Sequence, residues 1–107
     1  MNTKLTVTDD SFARAFKQFE QAEVVEFFAT WCPHCKHMAD IIDKLAKDYQ
    51  NRVALLVVDV DQSPRTARQF GVSGVPSFVF VKKGQIVHRM AGEFSEADLR
   101  KQLDALL

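Results

Sequence analysis

The chain has 107 residues, 47% hydrophobic and 26% charged, ordinary proportions for a globular protein and enough for one apolar core but not two, so a single domain over residues 1–107 is expected. Fourteen Lys and Arg balance fourteen Asp and Glu, which removes the net positive field that nucleic acid or an acidic membrane surface would require; proteins are the expected partners. No apolar run approaches the roughly 18 residues of a membrane helix, and Met1 to Asp10 carries two aspartates and no apolar stretch, so neither a secretory signal nor a transit peptide is read there and a cytoplasmic location is expected.

Thr3 to Val7 predicts a short strand, and Thr8-Asp9-Asp10-Ser11 a helix start, with Phe12, Ala15, Phe16 and Phe19 following at helical spacing. Val24 to Ala29 is a buried-strand run interrupted by Glu26, and it leads directly into Trp31-Cys32-Pro33-His34-Cys35. Met38, Ile41, Ile42, Leu45, Ala46 and Tyr49 then recur at three and four, predicting a helix from near Cys32 to near Tyr49 with Cys32 at its N-terminus.

Val53 to Val58 predicts a second buried strand, and Ser63-Pro64 a helix start with proline at the first helical position, ending near Gly71. Ser77 to Val81 and Ile86 to Met90, separated by Lys82-Lys83-Gly84-Gln85, predict an antiparallel hairpin. Ser95-Glu96-Ala97-Asp98 resembles a capping box opening a last helix, with Leu99, Leu103, Leu106 and Leu107 on its apolar face. The order is βαβαβαββα. Right-handed crossovers then give an α/β fold, a central mixed β-sheet flanked by helices on both faces.

The two cysteines are too few and too close for a secreted disulfide framework, and their spacing suits chemistry. A thiolate is the species that attacks a disulfide. The positive end of a helix and the adjacent His34 both favour it at Cys32, the expected nucleophile. Cys35 lies one turn deeper and is expected to be better shielded, the resolving thiol. Two intervening residues allow the pair to close a disulfide and release a mixed disulfide intramolecularly. A purely structural disulfide is the plain alternative, although so small a loop contributes only about 2 kcal/mol. Zinc is the other, since His34 and His37 lie nearby, but a structural site needs four ligands and no second Cys-x-x-Cys occurs. No metal is expected.

Phe27-Phe28-Ala29-Thr30-Trp31-Cys32-Pro33-His34-Cys35-Lys36 resembles the active-site segment of the thioredoxin family, and Gly74-Val75-Pro76 resembles its proline loop. The resemblance spans the whole chain. It implies the thioredoxin fold, a cis peptide before Pro76, and a substrate-binding surface around Trp31, Gly74, Val75, Pro76 and Gly92. It further implies a thiol-disulfide oxidoreductase that binds no cofactor, reduces disulfide-containing protein substrates, and draws electrons from NADPH through thioredoxin reductase; a monomer is expected. Typical members carry Gly-Pro between the cysteines, whereas this chain has Pro33-His34, the dipeptide of the periplasmic oxidant DsbA. Pro33 and His34 are therefore expected to tune the couple toward a more oxidising potential than an ordinary thioredoxin's, because stabilising the Cys32 thiolate stabilises the reduced form. DsbA itself does not match, since that family inserts a helical domain for which this chain has no room. A disulfide oxidase or isomerase is the alternative within the same chemistry, and a binding module without turnover the alternative outside it.

Glu26 occupies the position of the family's buried aspartate, which implies proton transfer to and from Cys35; the competing reading turns it to the solvent edge or leaves it hydrogen-bonded and inert. Val57 stands where many members have a lysine, so Glu26 is expected to lack that cation and to titrate high because desolvation dominates. Trp31 is expected to shield the nucleophile and meet substrates, with simple packing as the plain reading. Lys36, His37 and Asp40 read as a solvated helix face. Glu93 places an acid beside the expected substrate surface. The phenylalanines at 12, 16, 19, 27, 28, 78 and 80 are expected to fill the core.

Overall fold

A computed structural model describes residues 4–19 and 21–107. Thr3, the start of the first predicted strand, lies outside the described residues. The elements are β1 (Lys4–Val7), α1 (Phe12–Gln18), β2 (Ala22–Phe28), α2 (Pro33–Asp48), β3 (Ala54–Asp59), α3 (Pro64–Gln69), β4 (Ser77–Lys82), β5 (Gln85–Ala91) and α4 (Glu96–Asp104). The strands lie in the order β1-β3-β2-β4-β5. The first three are parallel through β3, and β4 and β5 run antiparallel. This is the thioredoxin fold, in the order read from the sequence.

Strand alternation divides the core into two layers. Val24, Leu55, Phe78 and Phe80 face Met38, Ile42 and Leu45 of α2 and Leu99 and Leu103 of α4. Val25, Phe27, Leu56, Val58 and Val79 face Phe12 and Ala15 of α1 and Ala67 of α3. Phe27 has no exposed surface, and truncating such a ring to alanine costs about 3–5 kcal/mol. Of the phenylalanines expected inside, Phe12, Phe27, Phe78 and Phe80 are buried, while Phe16, Phe19 and Phe28 are only half-buried at the layer edges.

Local signals hold where their partners are local. Ser95 Oγ accepts the Asp98 N–H at 3.1 Å, closing the α4 cap. Lys83 and Gly84 both take positive φ, 51° and 79°, so the hairpin turn tightens to two residues and the flanking strands extend beyond their predicted ends. Other readings are corrected. Leu107 follows α4 and is exposed, leaving Leu99, Leu103 and Leu106 as the buried leucines. Ser63 precedes α3, but its buried hydroxyl makes no hydrogen bond; Asp9, ahead of α1, instead accepts from the N–H groups of Thr66 (2.8 Å) and Arg65 (3.2 Å) and from the Thr66 hydroxyl (2.7 Å). β2 begins at Ala22, so Glu23 joins Glu26 as a second buried acid, enclosed because β2 is flanked by β3 and β4 and covered on both faces.

Candidate functional site

The parallel strand β2 delivers the chain at Phe28 into the turn that carries the cysteines. Cys32 is the N-cap of α2, in extended conformation, and Pro33 occupies the first turn, where its missing N–H leaves nothing unpaired. The cap is made by sulfur: the Cys35 N–H donates to Cys32 Sγ at 3.2 Å. The N-terminal dipole of the sixteen-residue α2 therefore converges on the atom that becomes negative in a thiolate. Both cysteines are free thiols.

Their shielding reverses the expectation. Cys32 is 2% exposed and Cys35 7%. Cys32 Sγ lies under the loop before β4, its thiol reaching the Val75 carbonyl at 3.7 Å, and Ala29 and Val75 pack around the pair. Cys35 instead lines a cleft on the far side of the pair. Burial, then the hydrogen bond with Cys32, pushes the Cys35 thiol up to about 12.

The loop facing the cysteines is built from the residues that the sequence pointed to. The Val75–Pro76 bond is cis. Ser77 Oγ donates to the Gly74 carbonyl at 2.7 Å, and the Gly92 N–H donates to the Pro76 carbonyl at 2.8 Å. Gly92 takes a φ of 106°, open to glycine and strained for other residues. Trp31 completes the rim. It is 64% exposed, so simple packing does not account for it, and its indole Nε1–H donates to Asp61 Oδ2 at 2.8 Å. Asp61 carried no sequence signal, because thirty positions separate the pair.

Behind the cysteines lies a cleft of about 360 Å³ lined by Lys4, Thr6, Glu26, Ala29, Cys35, Ala39 and Val57 among others. Glu26 is 6% exposed, so it does not turn to the solvent edge. Burial raises its carboxyl to about 7, with the Lys4 charge opposing and the Asp43 charge adding to the rise. As expected, no lysine stands at position 57 and burial dominates, but a different cation is nearby. Val57 sits directly across from Glu26 in the ladder, as an apolar side chain, but Lys4 enters the same cleft from β1 and pairs with Asp43 of α2.

On the outer rim, His34 is exposed and turned toward Glu93, whose Oε2 lies 3.2 Å from His34 Nδ1; Glu93 Oε1 lies 3.3 Å from Nδ1 of His37. The sequence singled out all three without joining them.

A family model described as Thioredoxin matches residues 3–105. The "Thioredoxin" of Acidithiobacillus ferridurans is 32% identical over 103 residues, covering 96% of this chain and 95% of that protein. "Thioredoxin 2" of Chlorobaculum tepidum is 31% identical over 97 residues, 91% of this chain and 89% of that protein. Among solved structures, the reduced thioredoxin pre-protein of Schistosoma mansoni superposes with a TM-score of 0.88 at 29% identity, covering 97% of this chain and 98% of that one.

Proposed function

The chain belongs to the thioredoxin family and is a thiol-disulfide oxidoreductase, and on that premise we propose that it reduces protein disulfides through a Cys32-linked mixed disulfide. The observation that carries this reading is the placement of Cys32 Sγ at the α2 N-cap, receiving the Cys35 N–H. Cys32 attacks one substrate sulfur as a thiolate, the substrate S–S bond breaks, and the departing sulfur takes up a proton. Cys35, once deprotonated, attacks Cys32 Sγ, closing the Cys32–Cys35 disulfide and freeing the second substrate sulfur. Two electrons leave the dithiol and two protons appear on the substrate.

Glu26 takes the Cys35 proton. A thiol held near 12 does not ionise unaided at neutral pH, and a carboxyl near 7 in the same cleft is matched to serve as its base. No direct hydrogen bond joins the two groups among those described, and a cleft of about 360 Å³ has room for bridging water, at about 30 Å³ per molecule. Trp31, Gly74, Val75, Pro76 and Gly92 form the substrate surface, where backbone groups flanking the cis bond line the approach to Cys32. Pro33 and His34 set a couple more oxidising than an ordinary thioredoxin's.

Family members commonly bind no cofactor of their own. Electrons reach the disulfide from NADPH through thioredoxin reductase, and the protein acts as a cytoplasmic monomer comprising one domain over 1–107. No helix among the described residues is long and apolar enough to cross a membrane. Insulin-disulfide reduction with and without thioredoxin reductase and NADPH tests both activity and electron source: turnover lost in Cys32→Ser supports the reading, and retained turnover overturns it. The oxidase or isomerase alternative rests on the Pro33-His34 dipeptide between the cysteines, and faster oxidation than reduction of a model dithiol peptide would favour it.

A further inference from the structure

His34, His37 and Glu93 bring three ligand atoms together on the rim of the cysteine motif, all within 4.8 Å of one another. His34 and His37 lie three residues apart on α2, so both imidazoles leave the same side of the helix. Glu93 arrives from a different part of the fold, the loop after β5. Its neighbour Gly92 is pinned there by the hydrogen bond to the Pro76 carbonyl at 2.8 Å. The carboxylate meets both rings at once, with one oxygen 3.2 Å from His34 Nδ1 and the other 3.3 Å from His37 Nδ1.

We propose that His34, His37 and Glu93 form a binding site for a divalent transition metal of the zinc class. Two imidazole nitrogens and one carboxylate oxygen make a borderline-soft donor set, suited to Zn²⁺ and its neighbours and poorly suited to Mg²⁺, which prefers six oxygens. Tetrahedral Zn²⁺ with bonds of about 2.0–2.1 Å places its ligand atoms about 3.3 Å apart. Each oxygen already has that spacing to one ring, Oε2 to His34 and Oε1 to His37, so whichever oxygen binds has one nitrogen in place, and rotation of the exposed side chains closes the remaining gaps from within 4.8 Å. Three protein ligands leave one position for water, so the four protein ligands of a structural zinc site are not required. His37, which the exchange chemistry does not use, acquires a role as the second nitrogen. The ion replaces the protons that hold the rings to the carboxylate, and it fastens α2 to the loop after β5 at the edge of the substrate surface.

The site is tested apart from the exchange chemistry by titrating ZnCl2 calorimetrically into the oxidised protein, in which neither sulfur is available as a thiolate, and into the Cys32→Ser/Cys35→Ser variant. The expected result is one Zn²⁺ per chain in both, weakened at least roughly tenfold by His37→Ala and, separately, by Glu93→Gln, with no saturable binding of MgCl2. Circular dichroism checks that each variant is folded. No saturable Zn²⁺ binding, binding unchanged in both single variants, or equal binding of Mg²⁺ would overturn the proposal.

Discussion

Lys4 on β1 and Glu26 on β2 share one cleft although β3 lies between their strands, and the lysine charge reaches the carboxyl over an apolar residue, Val57. Burial raises Glu26, Lys4 holds it down and Asp43 pushes it up. Lys4→Met is therefore expected to move the Glu26 midpoint above about 7, and Asp43→Asn to move it below. Carbon-detected NMR titration of the Glu26 carboxyl reads both shifts, and an unchanged midpoint in the two variants contradicts the assignment.

The same carboxyl makes stability depend on pH. Its folded midpoint, about 7, lies above its ordinary 4.5, so between these values the folded state holds a proton that the unfolded state has released. Stability then falls as pH rises through that window and levels off above it. The cost of the buried carboxylate at pH 8 is on the order of 3 kcal/mol. Glu26→Gln is expected to gain much of it at pH 8 and little at pH 4, as measured by urea unfolding at the two pH values. An equal effect at both would show that the charge is not responsible.

Proton removal from Cys35 gives a kinetic counterpart. Release of a Cys32 mixed disulfide should accelerate as pH rises through about 7, where Glu26 becomes basic. Glu26→Gln is expected to remove that step and slow release at neutral pH by roughly a hundredfold, the lower range of a general-base contribution. Stopped-flow decay of a chromogenic mixed disulfide measures it.

Redox titration against glutathione is expected to place the Cys32–Cys35 couple above the value of about −270 mV found for thioredoxin. His34→Pro should lower the potential if the residue that follows Pro33 in the first turn of α2, the helix capped by Cys32 Sγ, sets it. A wild-type value at or below that of thioredoxin would sink the expectation.

Asp9 takes the role at the start of α3 that the position of Ser63 suggests. Burial pushes the Asp9 carboxyl up, but the donors from Thr66 and Arg65 outweigh it and hold it below the usual range. Its contribution is present above the ordinary carboxylate midpoint and lost as pH falls through the lowered one. Asp9→Ala should lower the melting temperature clearly at neutral pH, whereas Ser63→Ala, which deletes a buried hydroxyl with no hydrogen bond, should leave it unchanged or raise it. The opposite order by calorimetry would refute the assignment.

The features legible in the sequence are those whose partners lie within a turn or a hairpin. Cys32 as the N-cap of α2, Ser95 capping Asp98 and the Lys83-Gly84 turn each depend on residues a few positions apart, where backbone geometry allows few alternatives. Thioredoxin-like patterning also pointed to the cis bond before Pro76 and to a buried Glu26. The partners of these residues were not legible. Asp61 for Trp31, Asp9 for Thr66, Lys4 for Glu26 and Glu93 for the two histidines all meet across strands or between loops.

By itself the sequence determined the element order and a sheet covered by helices on both faces, and it singled out Cys32 and Cys35 as the candidate exchange pair, because hydrophobic periodicity and the cysteine spacing act locally and leave one consistent fold. The tertiary structure decided which thiol is better covered, which cation faces Glu26 and which acid joins His34 to His37. Those outcomes depend on strand register and on where a loop lands after a crossover. Side chains tens of residues apart become neighbours only when the sheet has been assembled.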